Sequence, residues 1–247
     1  MRRAIIFAIA LVIPIIPLQA ELTPEQSSRI TKTVGQIIGQ IHYRQTGLND
    51  EISGHHLKNY LNVLDFSHMV FLKTDVDEFE KLHGTRLDDQ VKFGSIRPAK
   101  QMFNRYLERL SECQEMVNEI LGEKMDFTQN EKFNPVRNKL PWPGNKTELK
   151  KLWRGRIKME LLADRLTFTK DGKAPDPKKV EDSVGKIKRR YERLLKTMTN
   201  FDQGDILETY LSSLTRAYDP HSDYMSPHEA ENFKINSIDM QLTGIGA

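Results

Sequence analysis

The chain has 247 residues, 38% of them hydrophobic and 29% charged, with 37 basic against 34 acidic side chains. That content supports a real apolar core. With Arg2 and Arg3 set aside the charge is nearly balanced, which excludes a general pull toward nucleic acid or acidic membrane.

The first twenty residues read as a signal peptide. Arg2 and Arg3 form a positive start, and the apolar run from Ala4 to Ile16 falls short of the roughly 20 residues of a spanning helix. Pro14 and Pro17 interrupt it, and Leu18-Gln19-Ala20 offers a small residue before Glu21. Export with cleavage after Ala20 is the expectation. Membrane contact is then expected at most through an uncleaved signal peptide.

Helix signals dominate the chain from Leu22 onward. Thr23-Pro24-Glu25-Gln26 places a cap, a first-turn proline and a capping-box glutamine in order. Ile30, Val34, Ile37, Ile38 and Ile41 continue at helical spacing, with an end near Gly47. Leu57, Leu61 and Leu64 mark a second helix, and a third is expected from Asp75 to Leu82. Ser95 and Pro98 open a long helix through Met102, Tyr106, Leu110 and Val117, closed by Gly122. Asn134-Pro135 and Pro141-Trp142-Pro143-Gly144 are turn chemistry. Leu149, Trp153, Ile157 and Leu161 then define the core stripe of another helix, which places Trp153 inside. Asp171 to Pro177 reads as a loop, Pro177 starts a helix through Ile187 to Met198, and Ile206 to Leu214 forms the last long one.

The texture changes at Asp219. Asp219-Pro220-His221-Ser222-Asp223-Tyr224 is a polar turn, and Ser226-Pro227-His228-Glu229 is a capped helix start. Ile238, Met240 and Leu242 alternate with polar residues, the first period of two. The fold expected is mainly α, around eight helices with one short β-strand at the C-terminal end. That strand has no partner to satisfy its backbone, so the sequence is expected to continue beyond Ala247.

Chemistry is sparse. Cys113 lies at helical spacing from Leu110 and Val117 and reads as buried filler. His55, His56, His68 and His83 match no metal spacing and read as solvated or capping residues. Asp219, His221, Asp223 and His228 lie closer together, but turn formation explains them better than a metal. Basic residues predominate from Val136 to Thr199 and acidic ones afterwards. The basic block, with Lys186-Ile187-Lys188-Arg189-Arg190, reads as a solvated helix face, with an acidic partner surface second. Asn145-Lys146-Thr147 fits a glycosylation acceptor, meaningful only in a eukaryotic secretory path. No serine sits in a Gly-x-Ser-x-Gly elbow. No catalytic, cofactor-binding or metal-ligating residue is assigned.

The stretch Asp219 to Pro227, then Glu229, Glu231, Asn232 and Phe233, then Gly244-Ile245-Gly246-Ala247, resembles the segment of tail-specific (carboxy-terminal processing) serine proteases that joins their helical N-terminal domain to a PDZ domain. Tyr60-Leu61-Asn62-Val63-Leu64-Asp65, Phe71-Leu72, Pro141-Trp142-Pro143 and Trp153 to Lys158 are similar to earlier parts of that family. The resemblance implies a signal peptide at 1–20, a helical N-terminal domain at 21–236 and the start of a PDZ region at 237–247. It further implies a periplasmic or cell-envelope location in a bacterium, protein substrates, a possible adapter protein as partner, and no nucleic acid. The family's serine–lysine dyad would lie beyond Ala247. This chain would then serve as an accessory, substrate-holding domain that does not itself cleave. The alternative is a stand-alone helical binding protein of the cell envelope.

Overall fold

The computed structural model describes residues 22–168 and 177–235, so the expected signal peptide, the strand over 238–242 and the 236/237 boundary lie outside the described residues. The described residues form nine helices: α1 (Pro24–Ile41), α2 (Asp50–Leu64), α3 (Lys73–His83), α4 (Leu87–Phe93), α5 (Arg97–Gly122), α6 (Lys146–Phe168), α7 (Pro177–Thr199), α8 (Gln203–Tyr218) and α9 (Pro227–Phe233). No strand occurs among them, and the mainly α expectation holds. None of these helices is long and apolar enough to cross a membrane.

The long α5 is the spine. α6 and α7 pack on one side of it, while α2 and α8 pair on the other and α1 lies across α4 and α8. Along α5 the buried side chains Met102, Tyr106, Leu110, Cys113, Val117 and Ile120 follow the helical period, so one stripe faces the core. The shorter α4 has no counterpart among the helices expected from the sequence. Leu87 and Val91 are both fully buried, but seven residues carry too few apolar positions for a period to stand out.

The N-terminal cap of α1 forms as expected. The Gln26 N–H donates to Thr23 Oγ1 at 3.2 Å and the Thr23 N–H donates to Gln26 Oε1 at 2.8 Å. Its buried face differs from the expected isoleucine stripe. Ser27, Thr31 and Gly35 are the buried positions, while Ile37 and Ile41 are exposed. Small residues let α1 approach closely: a methyl at Gly35 would sit 2.5 Å from Val91 Cγ1. The isoleucines flank this contact rather than forming it.

Gly94 ends α4 at φ 74°, and a Cβ there would lie 2.5 Å from both the Ser28 carbonyl and hydroxyl oxygens. Gly94→Ala combines left-handed backbone with a clash against α1, and should cost about 2–3 kcal/mol. A reduced urea midpoint with unchanged slope is the expected result. An unchanged midpoint would show that α1 does not hold this position.

The loop between α2 and α3 is itself core. Met69, Val70, Phe71 and Leu72 are all buried, although buried loops normally leave backbone groups without partners. Asp65 answers that problem. Its Oδ1 accepts the Met69 N–H at 2.9 Å; its Oδ2 accepts those of Val70 at 2.9 Å and Phe71 at 3.0 Å. Oδ2 also accepts the Trp142 indole N–H at 3.0 Å. Burial pushes the Asp65 carboxyl above its ordinary range, and these N–H donors act against that shift. His68, at φ 51°, stacks on Trp142 with ring centroids 3.7 Å apart. The Pro141-Trp142-Pro143 turn is therefore part of the same lock.

Two further bonds tie this loop to α6 and to the spine. The Met69 carbonyl accepts the Trp153 indole N–H at 2.8 Å, and the Cys113 thiol points at the same oxygen at 3.7 Å. At the start of α3, Asp75 accepts the Leu72 N–H at 2.9 Å and a two-pronged bond from Arg109, Nε at 2.8 Å and Nη2 at 2.9 Å. Arg105 Nη1 adds a third cationic donor at 2.6 Å. Burial alone would raise this carboxyl, yet the Arg109, Leu72 and Arg105 donors hold it below the usual carboxylate range.

Candidate functional site at the C-terminal junction

The segment after α8 turns sharply because Asp219 holds it. Its carboxylate accepts the His221 N–H at 3.1 Å and its carbonyl accepts the Ser222 N–H at 3.0 Å. That is the turn expected from the Asp-Pro pair. Thr215 Oγ1 then donates to the Ser222 carbonyl at 3.2 Å, and Ser212 Oγ donates to the Tyr224 carbonyl at 3.0 Å. Two α8 hydroxyls thus fasten residues 222–224 along their own helix. Arg216 pairs with Asp223 at 2.6 Å. Ser226 Oγ accepts the Glu229 N–H at 3.3 Å and starts α9 as expected.

His42 and Arg44, just past α1, also reach this turn, and sequence reasoning missed both. Arg44 Nη1 donates to the Tyr218 carbonyl at 2.8 Å. His42 Nε2 lies 3.4 Å from Ser222 Oγ, which lies 3.5 Å from Asp219 Oδ2. The grouping has the residue types of a Ser-His-Asp triad but the opposite wiring. The Arg44 N–H donates to His42 Nδ1 at 3.3 Å, so the ring proton sits on Nε2. In that tautomer Nε2 donates to Ser222 Oγ, and the serine hydroxyl points to Asp219. A catalytic imidazole would accept the serine proton and would be oriented by the carboxylate through its other nitrogen. Here the carboxylate contacts the serine, and the relay fastens the junction turn to α1.

Beside this turn an open groove of about 600 Å3 runs between α8 and α9. Val63, Phe201, Tyr224, Met225 and Phe233 supply its apolar surface. Val63, Met225 and Phe233 are exposed, and clustered apolar exposure of this kind marks interaction surfaces more than scattered single residues do. The rim carries Asp205, Glu208, Asp223 and Glu229, with Arg216 the cation among the lining residues. Burial, then the charge of Glu208, raises the Tyr224 hydroxyl pKa.

The other residues considered for chemistry are dispersed. Cys113 is buried, and burial pushes its thiol up to about 12, the opposite of a reactive thiolate. His55 is exposed, whereas His56 and His68 are buried, which corrects the expectation of solvated or capping histidines. The helical period explains His56: it lies four residues before Tyr60 on the α2 face that meets α8. Its Nε2 donates to the Tyr210 carbonyl at 2.9 Å, and its ring sits 4.3 Å from the Tyr210 ring. Among the described residues no group of three or more His, Cys, Asp or Glu is placed to hold a metal ion. Lys186, Arg189, Arg193 and Lys196 lie exposed along one line of α7, the solvated face expected of the basic block.

His56 gives the domain an acid sensitivity. Burial lowers its pKa from 6.5 to about 3, against the smaller raising effect of the Tyr210 carbonyl bond. A folded pKa below the unfolded one means the unfolded chain binds the proton first. Stability is therefore full above about pH 6.5 and declines as pH falls toward 3, by roughly 2–3 kcal/mol between pH 6.5 and 4.5. Urea melts of the wild type and His56→Gln across that interval should differ in slope, with the variant flatter. Parallel curves would contradict the buried neutral imidazole.

These features define a mainly α-helical domain whose polar side chains chiefly hold loops and turns in place, with one open groove where the chain leaves α8. The chain belongs to the tail-specific protease N-terminal domain family, whose model, described as "Tail specific protease N-terminal domain", matches residues 34–228. It is 31% identical over 222 residues to the tail-specific protease of Haemophilus influenzae, covering 90% of this chain and 30% of that protein. The chain thus spans under a third of the length of that relative.

Proposed function

We propose that this domain is the accessory, substrate-holding part of an exported tail-specific serine endopeptidase acting in the bacterial periplasm or cell envelope on protein C-termini. Its substrates are proteins, their C-termini are captured by a PDZ domain and cut by a serine–lysine dyad, both beyond these residues, and an adapter protein is a further partner. The observation that supports the reading best is the match of residues 34–228 to the N-terminal domain, within a relative of which the chain covers 30%. The wiring of His42, Ser222 and Asp219 agrees with it, since the carboxylate contacts the serine and the other imidazole nitrogen faces the Arg44 N–H.

A holding role requires affinity for unfolded chains without cleavage. Fluorescence anisotropy with labelled, reduced and alkylated lysozyme should show saturable binding to the purified chain, and native lysozyme should show none. No binding of the unfolded form, or equal binding of both forms, would remove the holding role.

A further inference from the structure

We infer that the groove between α8 and α9 is a docking site for an extended polypeptide segment in which lysine or arginine alternates with apolar side chains. The inference rests on the holding role proposed above and names where and what the domain holds.

Charge decides the occupant. Arg216, the cation lining the groove, is neutralised by Asp223 at 2.6 Å. Asp205 spends one carboxylate oxygen on the Asp202 N–H at 3.0 Å, as part of the α8 cap, but keeps its negative charge. Glu208 and Glu229 form no ion pair or side-chain hydrogen bond among the described residues, and Glu208 is half-buried. A cluster of carboxylates along one groove, with its lining cation already paired, is unfavourable unless an incoming cation meets it. An acidic or neutral partner would leave it so.

Shape and surface decide the rest. The apolar floor is assembled from separate elements: Val63 comes from the end of α2, Phe201 from the α7–α8 turn, Met225 from just before α9 and Phe233 from its last position. Separate apolar positions between carboxylates suit a chain that presents apolar and cationic side chains in alternation, as an extended segment does. The Ser212 and Thr215 bonds hold residues 222–224 against α8, so that side of the groove is formed before anything enters it, and less ordering cost falls on binding there.

The test uses the 247-residue chain and two short fluorescent peptides, one rich in leucine and lysine, the other with each lysine replaced by glutamate. Anisotropy should show the lysine peptide binding at least about tenfold more tightly, with the preference shrinking as salt is added. Glu208→Lys/Glu229→Lys should weaken the lysine peptide about tenfold or more, and Met225→Asp should weaken it as well. If the charge-reversed protein does not fold by circular dichroism, Glu208→Gln/Glu229→Gln replaces it with the same expected direction. Equal binding of the two peptides, or unchanged affinity in the folded variants, overturns the site. So does sedimentation of the wild type as a dimer that Lys186→Glu/Arg189→Glu dissolves, because the basic face of α7 in a second copy would then be the occupant. Loss of the peptide preference with retained binding of unfolded lysozyme overturns the groove alone, and leaves the holding role standing.

Discussion

Asp65→Ala should destabilise the domain by about 4–6 kcal/mol. The carboxylate is the acceptor for three backbone N–H groups and one indole N–H, all inside the protein. Removing it strands donors that each cost roughly 1–3 kcal/mol when buried without a partner, reduced here by whatever water enters the space left behind. Stranding them also releases Met69 to Leu72, which carry core side chains, and the Trp142 turn. Set against a typical total stability of about 5–15 kcal/mol, that loss is a large share of what a domain has. Asp65→Asn keeps one acceptor oxygen and turns an N–H2 toward a donor, so it should fall about midway. Chemical denaturation with the three proteins checks the order. A loss below about 1 kcal/mol in the alanine variant would mean that the loop is held by its apolar side chains alone.

Trp153→Ala should cost about 3–5 kcal/mol. Trp153 is 5% exposed, its ring meets Tyr191 edge-on at 5.0 Å, and its indole N–H serves the Met69 carbonyl. One substitution therefore opens a cavity between α6 and α7 and loosens the Asp65 loop from its other side. Trp153→Phe keeps most of the volume but loses the bond, and should recover more than half of the stability lost in the alanine variant. Because Asp65 and Trp153 hold one loop, their double variant should lose less than the two single losses combined. Strict additivity would show that the two contacts act independently. A Trp153→Ala loss under about 1 kcal/mol would place the residue on the surface.

The parts of the fold legible in the sequence are those set by local rules. Thr23 with Gln26, Pro177 and Ser226 mark helix starts through bonds or fixed angles within one turn. Trp153 and Cys113 are readable as core from periodicity alone. The burial of His56 and His68 is not readable in this way, because histidine type says little about exposure. What buries them is α8 and the Trp142 turn, far away in the chain. The α1 face escapes for a related reason: hydrophobicity singles out the isoleucines, while closeness of approach selects Ser27, Thr31 and Gly35. At the junction, the Asp219 turn and the α9 cap are local and visible. His42 and Arg44 lie more than 170 residues earlier, and Val63 and Phe201 enter the groove from two other elements. No spacing rule joins such residues before the helices pack.

A domain that holds polypeptide chains and leaves their cleavage to other residues should bind them without cutting. The most direct measurement is incubation of the repurified 247-residue chain with an unfolded protein bearing an apolar C-terminus, followed over time by intact mass. The substrate mass should stay unchanged through long incubation, while the same domain within a protein extended through PDZ and protease parts should shorten it. Time-dependent cleavage by the 247-residue chain, abolished by one serine substitution such as Ser222→Ala, would contradict a holding role without catalysis.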